Sequence, residues 1–437
     1  MKPQLRQLVF LLSEAIALAV TPFFLLISLG LAYLARALTP RLEKPRLVWG
    51  PVPILNNKYW SQAMREAGYR SRTFMIEYYS RINEKSDFDE YVFDRYFTLM
   101  PKSVRLVLLF WESLFRFDVF FISNDGWLMG RTPLWKCEAL LLKWAGKKIV
   151  ILPYGGDCFV YRNIRSTTTI HALLLSYPGA ARTQDAVEQR VRYWMRHADA
   201  VIPGCANPDG FGRWSVVVPS TLHLDLAVWD VSKRNNSSDG TGEPVVVVHC
   251  PNHTGFKGTE FIVAAVERLK AEGLNVELRL LQNLKNHEVR RIFMEETDLL
   301  AEALVYPSYA LNAVEGMACG LPVLSNLDDP DYSLMHRRWS FLGECPVLST
   351  SPESILNNLR ILVTQPDLRR ALGSASRHYV EKYHSLEAAK VLYGRTVDYV
   401  YGRLSGKDFM NTYHPLLGLY AKMARVEHPL KESQLVN

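Results

Sequence analysis

Short runs that are apolar throughout alternate with amphipathic helical stretches along most of this chain, and the alternation happens twice. In the first half, RLVWG (Arg46–Gly50), RTFMI (Arg72–Ile76), DVFFIS (Asp118–Ser123), KKIVILPY (Lys147–Tyr154), ADAVIP (Ala198–Pro203) and WSVVVPS (Trp214–Ser220) read as strands. Asn57–Gly68, Thr132–Ala145 and Asp185–Arg196 have helical spacing between them. A strand that is apolar on both faces must be covered on both faces, which points to parallel sheets flanked by helices. A polar, glycine-containing stretch, Lys233–Gly242, then interrupts the pattern as a linker does. Beyond it the alternation restarts with PVVVVH, a helix from Lys257 to a glycine stop, NVELRLL, NHEVRRIFMEE, DLLAEALVYP, NAVEGMACG, PVLSN, PVLST and PESILNNLRILVT. The expected fold is α/β, with two Rossmann-like domains facing a cleft. The expected boundaries are a first domain over 46–230, a linker over 231–243, a second domain over 244–395 and a tail over 396–437. Ligands in such folds sit at the carboxyl ends of the strands.

Composition supports two cores. Hydrophobic residues make up 48% of the 437 and charged residues 22%, which excludes a disordered chain. A mean hydropathy of −0.04 excludes a polytopic membrane protein. The six cysteines are scattered without CxxC spacing, so they read as reduced, mostly buried thiols.

The net charge of +7 invites a nucleic-acid partner until its location is considered. Residues 1–46 hold +4 and residues 391–437 hold +2, leaving +1 for the 344 residues between. A nearly neutral body has no phosphate-backbone footprint, so nucleic acid is not an expected partner. The N-terminal charge brackets an uncharged run of 20 residues, Ala15–Leu34. About 20 apolar residues suffice to span a bilayer as a helix. The expectation is an N-terminal membrane anchor over 1–45, with a cleaved signal peptide or a helix lying in the interface as rivals. The basic excess follows the run, which places the main body on the cytoplasmic side of an inner membrane of bacterial type. PKSVRLVLLFWESLFRF (Pro101–Phe117) is also strongly apolar. It reads either as a second membrane-contacting helix or as one packed on the first sheet.

Two segments carry residues suited to chemistry. PVVVV ends at His249 and is followed by a loop leading to Lys257-Gly258-Thr259 at a helix start. Backbone N–H groups at a helix start, together with a lysine, form an anion site. Gly258 allows close backbone approach, and His253 adds a donor. The second segment, Tyr306–Ser325, places Glu315 in the first turn of a helix, where the helix dipole favours a carboxylate. Asn312 begins that helix. Asp329-Pro330-Asp331 matches the DxD pattern of metal-binding loops but reads as a solvated turn, so no metal is expected.

HCPNHTGFKGTEFIVAAVERL paired with DLLAEALVYPSYALNAVEGMACGLPVLS resembles the family 4 type of nucleotide-sugar-dependent glycosyltransferases (glycosyl transferases group 1), which have the GT-B fold. Their E-A-M-A-x-G-x-P-V signature is matched by Glu315-Gly316-Met317-Ala318-Cys319-Gly320-Leu321-Pro322-Val323. Pro366–Ser385 looks like the closing helices of that family, and Ala198–Asp225 looks like its interdomain passage. The resemblance covers roughly residues 46–400. It implies that Lys257, with His253 and Gly258, holds the donor diphosphate, that Glu315 binds the donor ribose, and that Asn312 approaches the phosphate. It implies that Asp157, in Pro153–Asp157, makes an acceptor-side catalytic contact alongside Lys257. Three positions depart from the family pattern. The second glutamate expected eight residues before Glu315 is Pro307, the arginine before the KG pair is absent, and the N-domain histidine is replaced by Tyr154.

The resemblance implies a membrane-anchored, retaining glycosyltransferase of cell-surface polysaccharide biosynthesis. Its donor is a nucleotide sugar acting as co-substrate, with no separate cofactor, and its acceptor is a saccharide or lipid-linked glycan. Two alternatives stay open: a non-catalytic scaffold of a membrane biosynthetic complex, motivated by Pro307 and Tyr154, and a sugar-nucleotide epimerase of the same fold.

Overall fold

The structure, a computed structural model, describes residues 22–40, 42–80, 83–94, 102–204, 212–231 and 241–430. Residues 22–38 form helix α1. The first sheet contains β1 (Leu47–Trp49), β2 (Ser71–Met75), β3 (Glu90–Tyr91), β4 (Val119–Ile122), β5 (Lys148–Ile151) and β6 (Ala200–Val201). Their order is β3-β2-β1-β4-β5-β6, and every pair is parallel. Between them run α2 (Asn56–Glu66), α3 (Lys102–Arg116), α4 (Trp135–Trp144), α5 (Thr167–Ser176) and α6 (Gln184–His197).

The period-two side-chain alternation of strands sorts the core. Leu47, Trp49, Phe121 and Val150 point to one face of the sheet, where α2 lies. Val48, Phe120, Ile122, Ile149 and Ile151 point to the other, against α3, α4 and α1.

The second sheet has five parallel strands: β7 (Val245–His249), β8 (Val276–Leu280), β9 (Leu299–Ala301), β10 (Val323–Ser325) and β11 (Leu348–Ser349). They are ordered β11-β10-β9-β7-β8. The helices are α7 (Thr254–Lys257), α8 (Thr259–Ala271), α9 (Asn286–Glu295), α10 (Leu311–Ala318), α11 (Pro330–Trp339), α12 (Ile355–Thr364), α13 (Pro366–Tyr383), α14 (Leu386–Val400) and α15 (Gly406–Met410). Val245, Val247, Leu299 and Leu324 face α8 and α12. Val246, Val248, Leu300 and Val323 face the opposite way, into the same apolar cluster that contains Trp49 and Phe121.

The two sheets therefore share one core, and α14 completes it. This helix follows the second sheet in sequence but returns to pack on α2 and β6 of the first. Its Tyr393 meets Trp49 edge-on at 4.9 Å between ring centroids, and Trp49 in turn stacks on Phe121 at 3.8 Å.

Two expectations need correction. Trp214–Ser220 is not a strand. Its backbone is drawn singly to several partners: Ser215 N–H to the Val201 carbonyl (2.8 Å), Val217 N–H to that of Met410 (3.3 Å), and the Pro219 carbonyl to the Tyr332 hydroxyl (2.8 Å). It serves as a buried passage between the halves, with Val216 and Val218 in the shared core. Most of the polar stretch Lys233–Gly242 falls outside the described residues. The expected membrane span also changes. Residues 15–21 lie outside the described residues, and the remaining 22–34 belong to α1, which docks along the first domain. Phe24, Ser28, Ala32 and Ala35 are buried there. Phe24 stacks on Trp111, and the Trp111 indole N–H donates to Ser28 Oγ at 2.9 Å. Among the described residues no helix is long and apolar enough to cross a membrane. Of the two readings of Pro101–Phe117, α3 takes the packed one, with Leu106, Leu109, Phe110 and Leu114 buried. None of the cysteines among the described residues is in a disulfide, and all but half-buried Cys137 are buried.

Tyr393 ties α14 to the first sheet, its ring lying against Trp49, Trp60 and Phe121, so its truncation should loosen the return of α14 onto that sheet. Tyr393→Ala is expected to cost about 3–5 kcal/mol and to lower Tm while preserving a single transition. Urea denaturation followed by fluorescence and circular dichroism checks this, because a variant with separate transitions for the two halves would refute the shared core.

Candidate active site

The strand order of the second sheet reverses between β7 and β9, and a crevice opens at the carboxyl ends of strands at such a switch point. The loops that follow β7 and β9 build the site. His249 ends β7, with its ring held by the Ala301 carbonyl and Thr259 Oγ1, each at 2.8 Å. Burial pulls its pKa down to about 4, so it is a neutral strut joining β7, β9 and α8.

Single-turn α7 ends at Gly258, whose φ of +71° is left-handed. A Cβ there would lie 3.1 Å from Leu304 and 3.2 Å from Val305, so both conformation and space call for glycine. Leu304 N–H donates to the Lys257 carbonyl (3.1 Å) and Tyr306 N–H to that of Phe256 (3.2 Å), which ties the loop after β9 to α7.

Lys257 is buried and forms an ion pair with Glu302, the first residue after β9. Ser325 Oγ donates to the other Glu302 oxygen at 3.1 Å. Burial draws the Lys257 ammonium down to about 8, with Cys250 opposing that shift. Glu302 has no counterpart among the residues expected from sequence. Its signal was there: a carboxylate inside the apolar run LLAEALV, at a strand's carboxyl end.

Glu315 lies in the second turn of α10, not the first, and is buried. Asn286 Nδ2 donates to its Oε1 at 2.7 Å. Burial, partly offset by Arg290, pushes the carboxyl up to about 8. The helix dipole expected to stabilise it as an anion is overridden because burial removes water from the group. Asn312, in the first turn of α10, donates from Nδ2 to the Cys250 carbonyl at 3.1 Å and so joins the two loops.

Two cavities meet here. One, about 190 Å³, is lined by Cys250, Asn252, Asn286, Leu311, Asn312 and Glu315. The other, about 390 Å³, has aromatic walls formed by Phe159, Tyr161 and Tyr177 from the first domain and Phe256 and Tyr306 from the second. Lys257 and Ala310 line both. The amino end of α10 thus borders the junction, where helix N–H groups and the dipole favour an anion. A group carrying a diphosphate can place it at Lys257 with its two ends in separate cavities.

Asp157 is in a different setting. Its carboxylate accepts from Asn124 N–H (2.9 Å), Asn124 Nδ2 (3.1 Å), Tyr154 N–H (2.9 Å) and Gly155 N–H (3.0 Å). Burial pushes it up to about 6 against these four donors. It shapes the loop rather than lining the cavity, and its neighbours Tyr154, Gly155 and Gly156 are the residues that reach the wall. The Tyr154 hydroxyl donates to Asp125 at 2.8 Å. His253 lies against Tyr177, 4.6 Å between centroids, at the contact between α5 and α7. Asp329 is no solvated turn. It caps α11 by accepting from Tyr332 N–H at 3.0 Å, and it also accepts from Ser166, the cap of α5 across the cleft.

No protein family matches the chain, and no curated protein sequence matches it. Among solved structures it is similar to Anabaena Alr3699/HepE, solved in complex with UDP and glucose. The identity is 12% over 81% of this chain and 99% of that one, with a TM-score of 0.52. More distant are the wall teichoic acid polymerase TagF (11% identity, 92% of this chain, 100% of that chain, TM-score 0.38) and a UDP-GlcNAc 2-epimerase from Neisseria meningitidis (10%, 81% and 99%, TM-score 0.33). At 12% identity the HepE likeness is one of fold, and that fold is the two-domain α/β arrangement of parallel sheets called GT-B.

The Glu315 carboxyl titrates near 4.5 in an unfolded chain and near 8 here. Between those values the unfolded chain has lost the proton and the folded chain keeps it, so stability falls as pH rises through that window. Glu315→Gln does not titrate. Its Tm relative to the natural protein is expected to rise from about pH 5 to about pH 8 and then level. Thermal denaturation at a series of pH values checks this, and a flat difference would mean that the carboxyl is already ionised.

Proposed function

We propose that this protein is a glycosyltransferase that moves a sugar from a nucleotide-diphosphate donor to an acceptor held in the aromatic cavity. The observation that carries the reading is the junction of two cavities at Lys257, beside the amino end of α10. The smaller cavity, with Glu315 and Asn286 buried at one side, suits a nucleoside whose ribose hydroxyls bond to the carboxyl. The larger cavity suits an acceptor and the transferred sugar. HepE was solved with UDP and glucose, and the reading gives this chain a ligand of the same class.

In the proposed reaction the bond between the sugar's anomeric carbon and the diphosphate oxygen breaks. A bond from that carbon to the acceptor oxygen forms on the same face, which retains configuration as in family 4 enzymes. The acceptor proton passes to the leaving phosphate oxygen. Lys257 and the α10 amides stabilise the charge that develops there. Glu302 neutralises Lys257 while the site is empty, so no isolated charge is buried before the diphosphate arrives. Contact between α5 and α7, including Phe256 N–H to Ser176 Oγ at 2.9 Å, closes the cleft over Lys257 and limits loss of donor to water. The setting we propose is a membrane surface in cell-surface glycan synthesis, with the body on the cytoplasmic side and a glycan or lipid-linked acceptor.

Calorimetry with a panel of UDP-, GDP- and CDP-sugars is expected to find one nucleotide that binds. Lys257→Ala should weaken that binding by about 10- to 100-fold, the loss of a charge-assisted contact. Unchanged affinity in the variant would remove the central claim. Product formed from donor alone would identify an epimerase, and no binding of any donor would favour a scaffold.

A further inference from the structure

We propose that α1 is a monotopic membrane contact, with its outer face lying in the plane of an anionic bilayer surface while its inner face is fixed to the body. The inference concerns a surface away from the cleft and does not depend on the glycosyltransferase reading.

The helix is apolar on both sides. Phe24, Ser28, Ala32 and Ala35 form the docked face. On the opposite side Phe23 is 69% exposed, Leu26 69% and Tyr33 74%, and Ile27, Leu34 and Leu38 are exposed with them. The spacing 23, 26, 27, 30, 33, 34 makes one continuous stripe, and no charge occurs from residue 22 to residue 35. A helix apolar all round is a buried helix, so the outer stripe needs an occupant.

Charge identifies that occupant as lipid. The basic residues are at the ends of the stripe. Lys2 and Arg6 precede it in sequence, and Arg36, Arg41 and Lys44 follow it, against Glu14 and Glu43. Exposed Arg36 lies over Gly146, just beyond exposed Lys143 and Trp144 at the end of α4. Tryptophan with cations at the edge of an apolar face is the composition that settles at a headgroup layer.

The docked neighbours decide the orientation. Trp111, which holds Ser28, is followed on α3 by Glu112, which pairs with Arg116 at 2.9 Å. Past the carboxyl end of α1, Lys147 Nζ donates to Thr39 and pairs with Asp118, which also holds Arg46. If α1 crossed a bilayer, these charges would enter hydrocarbon with it. Lying flat, α1 spans about 25 Å along the surface and sinks its stripe about 5–10 Å.

Vesicle co-sedimentation of the full chain tests the surface. Binding is expected on vesicles of mixed phosphatidylglycerol and phosphatidylcholine, and weaker binding on phosphatidylcholine alone. The double variant Leu26→Asp/Tyr33→Asp alters exposed positions only. It should keep its Tm and lose binding by about tenfold or more. A nitrobenzoxadiazole dye at Phe23→Cys, Ile27→Cys, Leu34→Cys or Leu38→Cys should be quenched by spin-labelled lipid at one common shallow depth. Graded depth along the helix would mean crossing and would overturn the proposal. So would an absence of vesicle binding, binding indifferent to the double variant, or a solution dimer that the variant dissolves without any lipid binding.

Discussion

Tyr393 against Trp49 is the contact on which the two-sheet body depends. Trp49 sits in the central strand of the first sheet, stacked on Phe121, with Trp60 of α2 beside it at 5.8 Å. Tyr393 arrives from a helix nearly 350 residues later and closes the aromatic group at 4.9 Å from Trp49 and 5.6 Å from Trp60. Such pairs add about 0.5–1.5 kcal/mol each beyond the area they bury. Returning α14 to the first sheet holds the loops at the carboxyl ends of β5, β7 and β9 around one cleft. That clasp adds to the α5–α7 contact and to the Ser166–Asp329 bond, which also hold the two Rossmann-like units together.

Within the cleft, the cost of burying charge separates structural carboxylates from those suited to chemistry. Asp157 accepts four hydrogen bonds from its own surroundings and has its capacity used up by the loop it shapes. Glu315 accepts from Asn286 while bordering a cavity, and burial leaves it close to neutral near pH 7. Glu302 and Lys257 compensate each other at the junction. A ligand carrying two negative charges can take over the role of Glu302, and a ligand without them leaves the pair intact.

Most strands of both sheets were legible because they are short apolar runs with no competing period, whereas β3, only Glu90–Tyr91, has no such run and was not read. β1, β4, β5 and β7 lie inside the runs that announced them. Trp214–Ser220 has the same apolar character but meets edge strand β6 through a single backbone bond, Ser215 N–H to the Val201 carbonyl, and extends no ladder, a fact absent from local sequence. Helices α5 and α11 were not read from sequence, since their caps, Ser166 and Asp329, bond to each other across the cleft. Lys257, Asn312 and Glu315 were picked out as candidates through their motif spacing, and all three line the smaller cavity, with Gly258 at the end of α7 beside Lys257. Asp157 shared a loop with the cavity-lining residues, but its side chain turned toward Asn124.

Sequence by itself determined the class of fold, the two halves, the loop from β7 to the glycine at 258 and the uncharged stretch before residue 35. Each of these is set by local composition and period. Tertiary structure decided the pairing of Lys257 with Glu302, the protonation of Glu315, the use of Asp157 as a loop clamp, and the docking of α1 along the body. Those depend on which groups exclude water from one another, and residues far apart in the chain settle that only when the two sheets share a core.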